Sequence, residues 1–465
     1  MKHGKMLALF VYLALFVRPI SSSAAGAPPP ADTAAFVNVT VLPMDSERLL
    51  PHQTVLVRGD RIVEIAPVDR LRPPPDATLI DGRNRYLIPG LTDAHIHFYG
   101  YSQAGAGDRK LEQQVLLLLL ANGVTTAVNM EGSPPILALR DDLARGTVLG
   151  PKLYTTGPFI QMPDPQGLPG RKGLGTPAEV TKEVLEEKRL GYDFVKVHGD
   201  LPAETYRALL ETARQQGIRV VGHVPSNLGI DAALDGHQAL IVHAEEYLYS
   251  YFQFHRNLPE DPAEIDRLVR EVAAKTKQAG TWISPTLSVF RQIIFQVADV
   301  DALLARPEMG YLPADSVADW HPPHNPYVRR WPLEKIPYFR AQYSVMQKLT
   351  RGLRDAGGPL LVGTDNFVPC QIAGFAVKDE IEQMFAAGLT HFEVLQAATA
   401  NPARFLKEPD TGTVAPGKIA DLVLLDANPL DDVDNIFRQD GVMLHGRWFP
   451  EADLQGRLAA GTGSN

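Results

Sequence analysis

The sequence predicts an α/β chain, a TIM-like (β/α)8 barrel carrying a small composite β-sandwich domain formed by both termini. Three observations predict it. The middle of the chain alternates short apolar strands with amphipathic helical stretches, the pattern of parallel β/α architecture. Both ends are instead rich in short alternating strands. Polar residues able to bind metal recur at the carboxyl ends of the predicted middle strands, where barrels of this kind place their active sites. With 465 residues, 45% hydrophobic and 21% charged, the chain is long enough for a barrel-sized core plus a smaller domain.

Taken in order, the first 27 residues read as an export signal. Lys2 and Lys5 precede an apolar run over 6–17, and Ala25-Gly26-Ala27 makes an A-x-A cleavage pattern. The run is short for a membrane span. An exported protein, periplasmic or secreted, with no stable membrane anchor after cleavage is therefore expected. The alternative is an uncleaved anchor, since Arg18-Pro19 interrupts the small-residue end. Pro28-Pro29-Pro30 reads as a short stiff linker.

Residues 28–88 and 411–465 share one texture. Strands are expected over 36–42, 54–58 and 61–65, with Gly59-Asp60 as a hairpin turn. Strands recur over 420–425 and 441–448. Strands at both ends with helices between them point to one domain built from both termini; two unrelated β caps are the alternative.

Residues 89–410 form the expected barrel. Its eight strands are placed at 87–91, 125–129, 152–156, 194–197, 219–222, 239–242, 282–285 and 360–363. Helices are expected over 111–121, 178–190, 203–216 and 264–279, with a final helical run from Ala373. Gly191, Gly217 and Gly280 suit left-handed helix ends. The stretch 306–338, rich in Pro, Trp and Tyr, is long for a β/α connection and is expected to act as a lid.

The pivotal stretch is LIPGLTDAHIH, which ends with His95 and His97. Side chains two apart on a strand point the same way. The two imidazoles therefore project together, at a spacing suited to one zinc, iron, nickel or manganese ion. Lys196 lies in the fourth strand, His223 and His243 close the fifth and sixth, and Asp365 follows the eighth. Each alone has a plain structural reading; six converging on one barrel mouth point to a metal site. His198, Tyr99, Tyr101 and Tyr247 are weaker candidates for substrate contact. Formal charge is −9 without a basic cluster, which argues against a nucleic-acid partner. The single cysteine, Cys370, excludes an internal disulfide and a thiolate cluster. A homo-oligomer is among the arrangements the sequence allows.

The motifs PGLTDAHIH, DFVKV, VVGH, IVH, GTD and GTVAPGKIADLVLLDANPL together resemble the amidohydrolase superfamily, in its prolidase and imidazolonepropionase-related branch. They spread over about residues 36–448. The resemblance implies a metal-dependent hydrolase with two divalent ions, zinc foremost. It implies that His95, His97 and Asp365 bind the more buried ion, that His223 and His243 bind the second, and that Lys196 bridges both as a carbamate. A hydroxide shared by the ions would then attack an amide carbonyl, with Asp365 as the catalytic proton carrier. The implied partner is a small amide or peptide substrate, such as a dipeptide or an N-acyl amino acid. Ring-opening or deaminating relatives generally use one metal and lack the bridging lysine, so Lys196 argues against them. A non-catalytic binding protein would be expected to have lost ligands.

Overall fold

The computed structural model describes residues 33–98, 108–164, 170–252, 261–366 and 368–462. The expected export segment, Tyr99 and Tyr101 lie outside them.

One sheet joins the two termini. Its order is Arg447–Pro450, Gln439–Leu444, Leu422–Leu425, Tyr86–Pro89, Thr33–Val41, Leu50–Arg58, Arg61–Pro67, with Thr78–Asp81 also paired to Thr33–Val41. The seam is the antiparallel pairing of Leu422–Leu425 with Tyr86–Pro89. Alternation puts Leu87, Leu422, Leu424 and Met443 into one buried cluster, and a register shift between Phe36 and Val39 brings both of these into it. Trp448 packs edge-on against Phe36 at 5.4 Å. Gly59 takes φ +58° in the expected hairpin turn.

The second sheet is parallel and forms the barrel. Its strands are β1 (Leu91–Ile96), β2 (Val124–Asn129), β3 (Lys152–Gln161), β4 (Phe194–Val197), β5 (Arg219–Gly222), β6 (Leu240–Val242) and β7 (Trp282–Ser284), paired in that order. The eighth staff is irregular. Leu361 N–H donates to Ile283 O on β7, and Ala94 N–H on β1 donates to Val362 O. The expected eighth strand thus closes the barrel as a hydrogen-bonded segment. Helices Pro177–Leu190, Ala203–Gln216 and Pro262–Ala279 end at Gly191, Gly217 and Gly280, all left-handed.

The first strand needs correction. Residues 87–91 were expected to open the barrel, but the run is divided at Gly90. Residues up to Pro89 belong to the terminal sheet, and the barrel strand starts at Leu91. Leu87, Ile88 and Leu91 are all buried, so an unbroken apolar run conceals a passage between two sheets. A Cβ on Gly90 would lie 2.1 Å from Thr125 Oγ1 of β2, so only glycine lets the chain pass here.

The stretch 306–338 is more ordered than a loop. It carries the short helices Ala314–Ala318 and Pro326–Arg330 and leads into Ile336–Asp355. The last helix, Glu451–Thr462, packs on Arg109–Ala121 and so carries the carboxyl-terminal segment from the sheet onto the barrel. Among the described residues no helix is long and apolar enough to cross a membrane.

Candidate metal centre

The carboxyl ends of the barrel strands surround a cavity of about 740 Å³. All six residues expected at a metal site line it: His95, His97, Lys196, His223, His243 and Asp365. His95 lies in β1 and His97 just beyond it, as alternation requires. Asp93, on the same strand, fastens β1 to the closing segment. Its Oδ1 accepts from His95 N–H (3.1 Å) and Thr364 N–H (3.0 Å), and its Oδ2 from Thr364 Oγ1 (2.7 Å). Asp365 N–H donates to His95 O, and His97 N–H to Asn366 Oδ1. The His95–His97 pair and Asp365 are thus clamped together across the barrel seam.

The donor atoms converge. His95 Nε2 and His97 Nε2 are 3.1 Å apart. Asp365 Oδ1 lies 3.4 Å from the first and 3.0 Å from the second, and Asp365 Oδ2 lies 3.6 Å from His243 Nε2. A tetrahedral ion with ligand bonds of about 2.1 Å separates its donors by about 3.4 Å. His95, His243 and Asp365 offer one atom each within 4.8 Å of one another. Two imidazole nitrogens and a carboxylate this close, nearly excluded from water, fit a divalent cation by spacing and by donor type.

The surroundings bias three of the four imidazoles toward neutral, ligating forms. Burial holds the pKa values of His95 and His243 well below the ordinary imidazole range and brings His223 down to about 3. Burial acts on His97 too, but the neighbouring carboxylates of Asp365 and Glu131 outweigh it and raise its pKa. Asp365 is held well below the usual carboxylate range: burial opposes ionisation, and the His95, His97 and His243 rings overcome it.

Two contacts orient the ligating nitrogens. His243 Nδ1 lies 2.6 Å from Thr286 Oγ1, which donates its own hydrogen to Pro285 O. The hydroxyl must therefore accept from Nδ1–H, leaving the Nε2 lone pair toward Asp365. His223 Nδ1 meets Glu246 Oε1 at 2.6 Å, and Glu246 Oε2 accepts from Val224 N–H. Glu131 Oε2 stands 3.7 Å from His97 Nδ1. Sequence reasoning assigns no role to Glu246, Thr286 or Glu131. Of these only Glu131 carries a usable signal, a carboxylate just past a strand end.

Lys196 is fully buried, and its Nζ has no ion pair or hydrogen bond among the described residues. Burial brings its pKa down to about 8. Gly222, at φ +119°, makes room for it, since a Cβ there would meet Lys196 Cδ at 2.8 Å and Val197 O at 2.2 Å.

The weaker candidates separate. His198 lines the cavity, stacked on Phe159 at 4.2 Å with Nδ1 3.2 Å from Gln161 Oε1. Tyr247 does not reach the cavity, contrary to expectation. It is fully buried, with its hydroxyl 3.0 Å from Thr276 Oγ1 on helix Pro262–Ala279. The helix that begins just after His243 turns Tyr247 into the core and Glu246 toward His223. The stretch 306–338 contributes Tyr327, Arg330 and Trp331 to the cavity wall.

Residues 86–449 match the family model described as the amidohydrolase family. The chain belongs to the amidohydrolase family. This amidohydrolase is 23% identical to ochratoxinase of Aspergillus niger over an alignment of 465 residues, covering 87% of this chain and 83% of that protein. The solved ochratoxinase structure superposes with a TM-score of 0.66 at 20% identity, covering 90% of this chain and 96% of that one. A Xaa-Pro dipeptidase with bound methionine gives 0.67 at 20% identity, covering 90% and 100%. Molinate hydrolase gives 0.69 at 19% identity, covering 92% and 96%. At these identities the structural likeness establishes the shared fold. Membership makes the chain a hydrolase of amide bonds in a family that is typically metal-dependent, with a His/Asp cluster suited to a metal.

Proposed function

We infer that this amidohydrolase is a binuclear metal enzyme that cleaves the C–N bond of a small amide, a dipeptide or an N-acyl amino acid. The observation that carries the reading is the convergence of His95 Nε2, His97 Nε2, His243 Nε2 and the Asp365 carboxylate beside a buried lysine that has no counter-ion among the described residues. His95, His97 and Asp365 would hold the more buried ion, with zinc foremost on donor chemistry, and His223 and His243 would hold the second.

Lys196, as a carbamate, would supply a ligating oxygen to each ion. A buried ammonium without a partner is costly and would repel two cations. The neutral amine instead adds carbon dioxide: an N–C bond forms, a proton leaves to water, and the product is an anion with two ligating oxygens. When bound, the ions supply Lewis acidity and a water of lowered pKa. Asp365, ionised at neutral pH, takes the proton of the attacking water on a carboxylate oxygen and returns it to the leaving nitrogen. The walls of the cavity, apolar on one side, exclude bulk water from this transfer.

A panel assay tests the reading. Metal-loaded protein should turn over dipeptides or N-acyl amino acids; turnover confined to lactones or aminopurines would contradict it.

The His223–Glu246 contact yields a second expectation. Burial raises the Glu246 carboxyl to about 8, and a cation at His223 Nε2 favours the arrangement in which Nδ1–H donates to the ionised carboxylate. Glu246→Gln removes that anion. It should weaken metal binding by about 10–100-fold, as loss of such orienting partners does. Chelator competition measures it, and unchanged affinity would mean that Glu246 does not tune His223.

We also propose export with cleavage near Ala27, supported by the apolar run and the A-x-A pattern. Amino-terminal sequencing of native protein should begin near Pro28; a chain beginning at Met1 would refute it.

A further inference from the structure

The walls of the cavity differ in chemistry on opposite sides of the barrel. Arg171 starts the strand Arg171–Gly173, which runs parallel to the end of β3 with Phe159 opposite Arg171. Its side chain lines the cavity and is half-buried. Among the described residues six other half-buried arginines pair with carboxylates, as Arg85 does with Asp440 (2.9 Å) and Arg306 with Asp379 (3.1 Å). Arg219 and Arg291 stack on aromatic rings instead. Arg171 has neither kind of partner among the described residues. A half-desolvated guanidinium without an anion has given up hydration for nothing, and a ligand carboxylate would satisfy its fork with two charge-assisted hydrogen bonds.

Across the mouth the wall is largely apolar, with Arg330 stacked on Trp331 at 5.0 Å beside it. Val289, Phe290 and Ile293 come from the helix after β7, and Trp331 and Phe339 come from the stretch 306–338 and the helix beyond it. In a barrel of eight staves, β3 and β7 are four apart, so these two walls face each other with the histidine cluster between them.

We propose that Arg171 binds the free carboxylate of the substrate and that the opposite wall receives a bulky uncharged acyl group. The preferred substrates are then N-acyl amino acids with apolar acyl groups, lying across the mouth with the scissile bond over the histidines. The proposal rests on the amide-hydrolysis reading and names the substrate class for that same site.

Calorimetric binding of N-tosyl-L-alanine and its carboxamide, whose sulfonamide bond is not hydrolysed, tests the anchor. The wild-type enzyme should favour the carboxylate by about tenfold or more, the worth of a charge-assisted pair. Arg171→Met should abolish most of that preference while leaving carboxamide affinity within about twofold. Arg171→Lys, which keeps the charge and loses the fork, should retain part of it and serves if the first variant does not fold. An undiminished preference in Arg171→Met, or in Arg171→Lys where that variant alone folds, together with no preference loss on any substitution, overturns the proposal. An Arg171-dependent preference in a protein that hydrolyses no amide would uphold the anchor and sink only the amide-hydrolysis reading. Amide turnover indifferent to a substrate carboxylate would sink the anchor alone.

Discussion

Asp365→Asn should keep the fold and most of the metal while lowering kcat by about 10²–10⁴-fold, the usual worth of general acid–base catalysis. Asn preserves the shape and one oxygen donor but accepts protons poorly. Asp365 sits 3.0 Å from His97 Nε2 and 3.6 Å from His243 Nε2, and its carboxyl is held well below the usual range, so it is ionised at neutral pH. Its proton transfer belongs to the transition state, so the loss should fall on kcat with little change in KM. Steady-state kinetics with elemental analysis of the same sample checks this. Near-normal kcat at full metal content would place the proton carrier elsewhere, with His198 the next candidate on the cavity wall.

Lys196→Ala should cost more. Without the bridging anion both ions lose a ligand, and kcat/KM should fall by about 10³-fold or more, corresponding to several kcal/mol of lost Lewis-acid stabilisation. Truncation leaves a buried gap beside Gly222. Short carboxylic acids such as acetate or propionate fit such a gap and restore an anion with two oxygens. Activity should therefore return in part with added acid, in a saturable way. A lysine with a merely structural role predicts a small loss and no rescue, and that result would remove the carbamate from the account.

Much of the barrel could be read from residue patterns because its signals are local. Gly191, Gly217 and Gly280 each terminate a helix with positive φ, as their positions implied. The six candidate ligands were legible for a related reason: strand alternation and strand ends can be counted along the chain. What escaped depends on contacts between distant segments. The partners that orient His223 and His243 lie 23 and 43 residues away. Backbone bends also escaped. His243, Thr286 and Asp365 take φ of +70°, +48° and +49° at the ends of neighbouring staves. Such conformations are uncommon for residues other than glycine, and for the β-branched Thr286 they cost on the order of 1–3 kcal/mol. Nothing in Pro285-Thr286 announces that bend. Tyr247 shows the converse error: an aromatic residue near a strand end was read as a substrate contact, but the helix starting at Glu245 points it into the core.

Metal content measured on carefully prepared wild-type protein tests the central claim most directly. Elemental analysis should find about two divalent ions per chain. Activity should be lost when a chelator removes them and return when they are restored. Protein that contains no metal and retains undiminished activity would contradict the account.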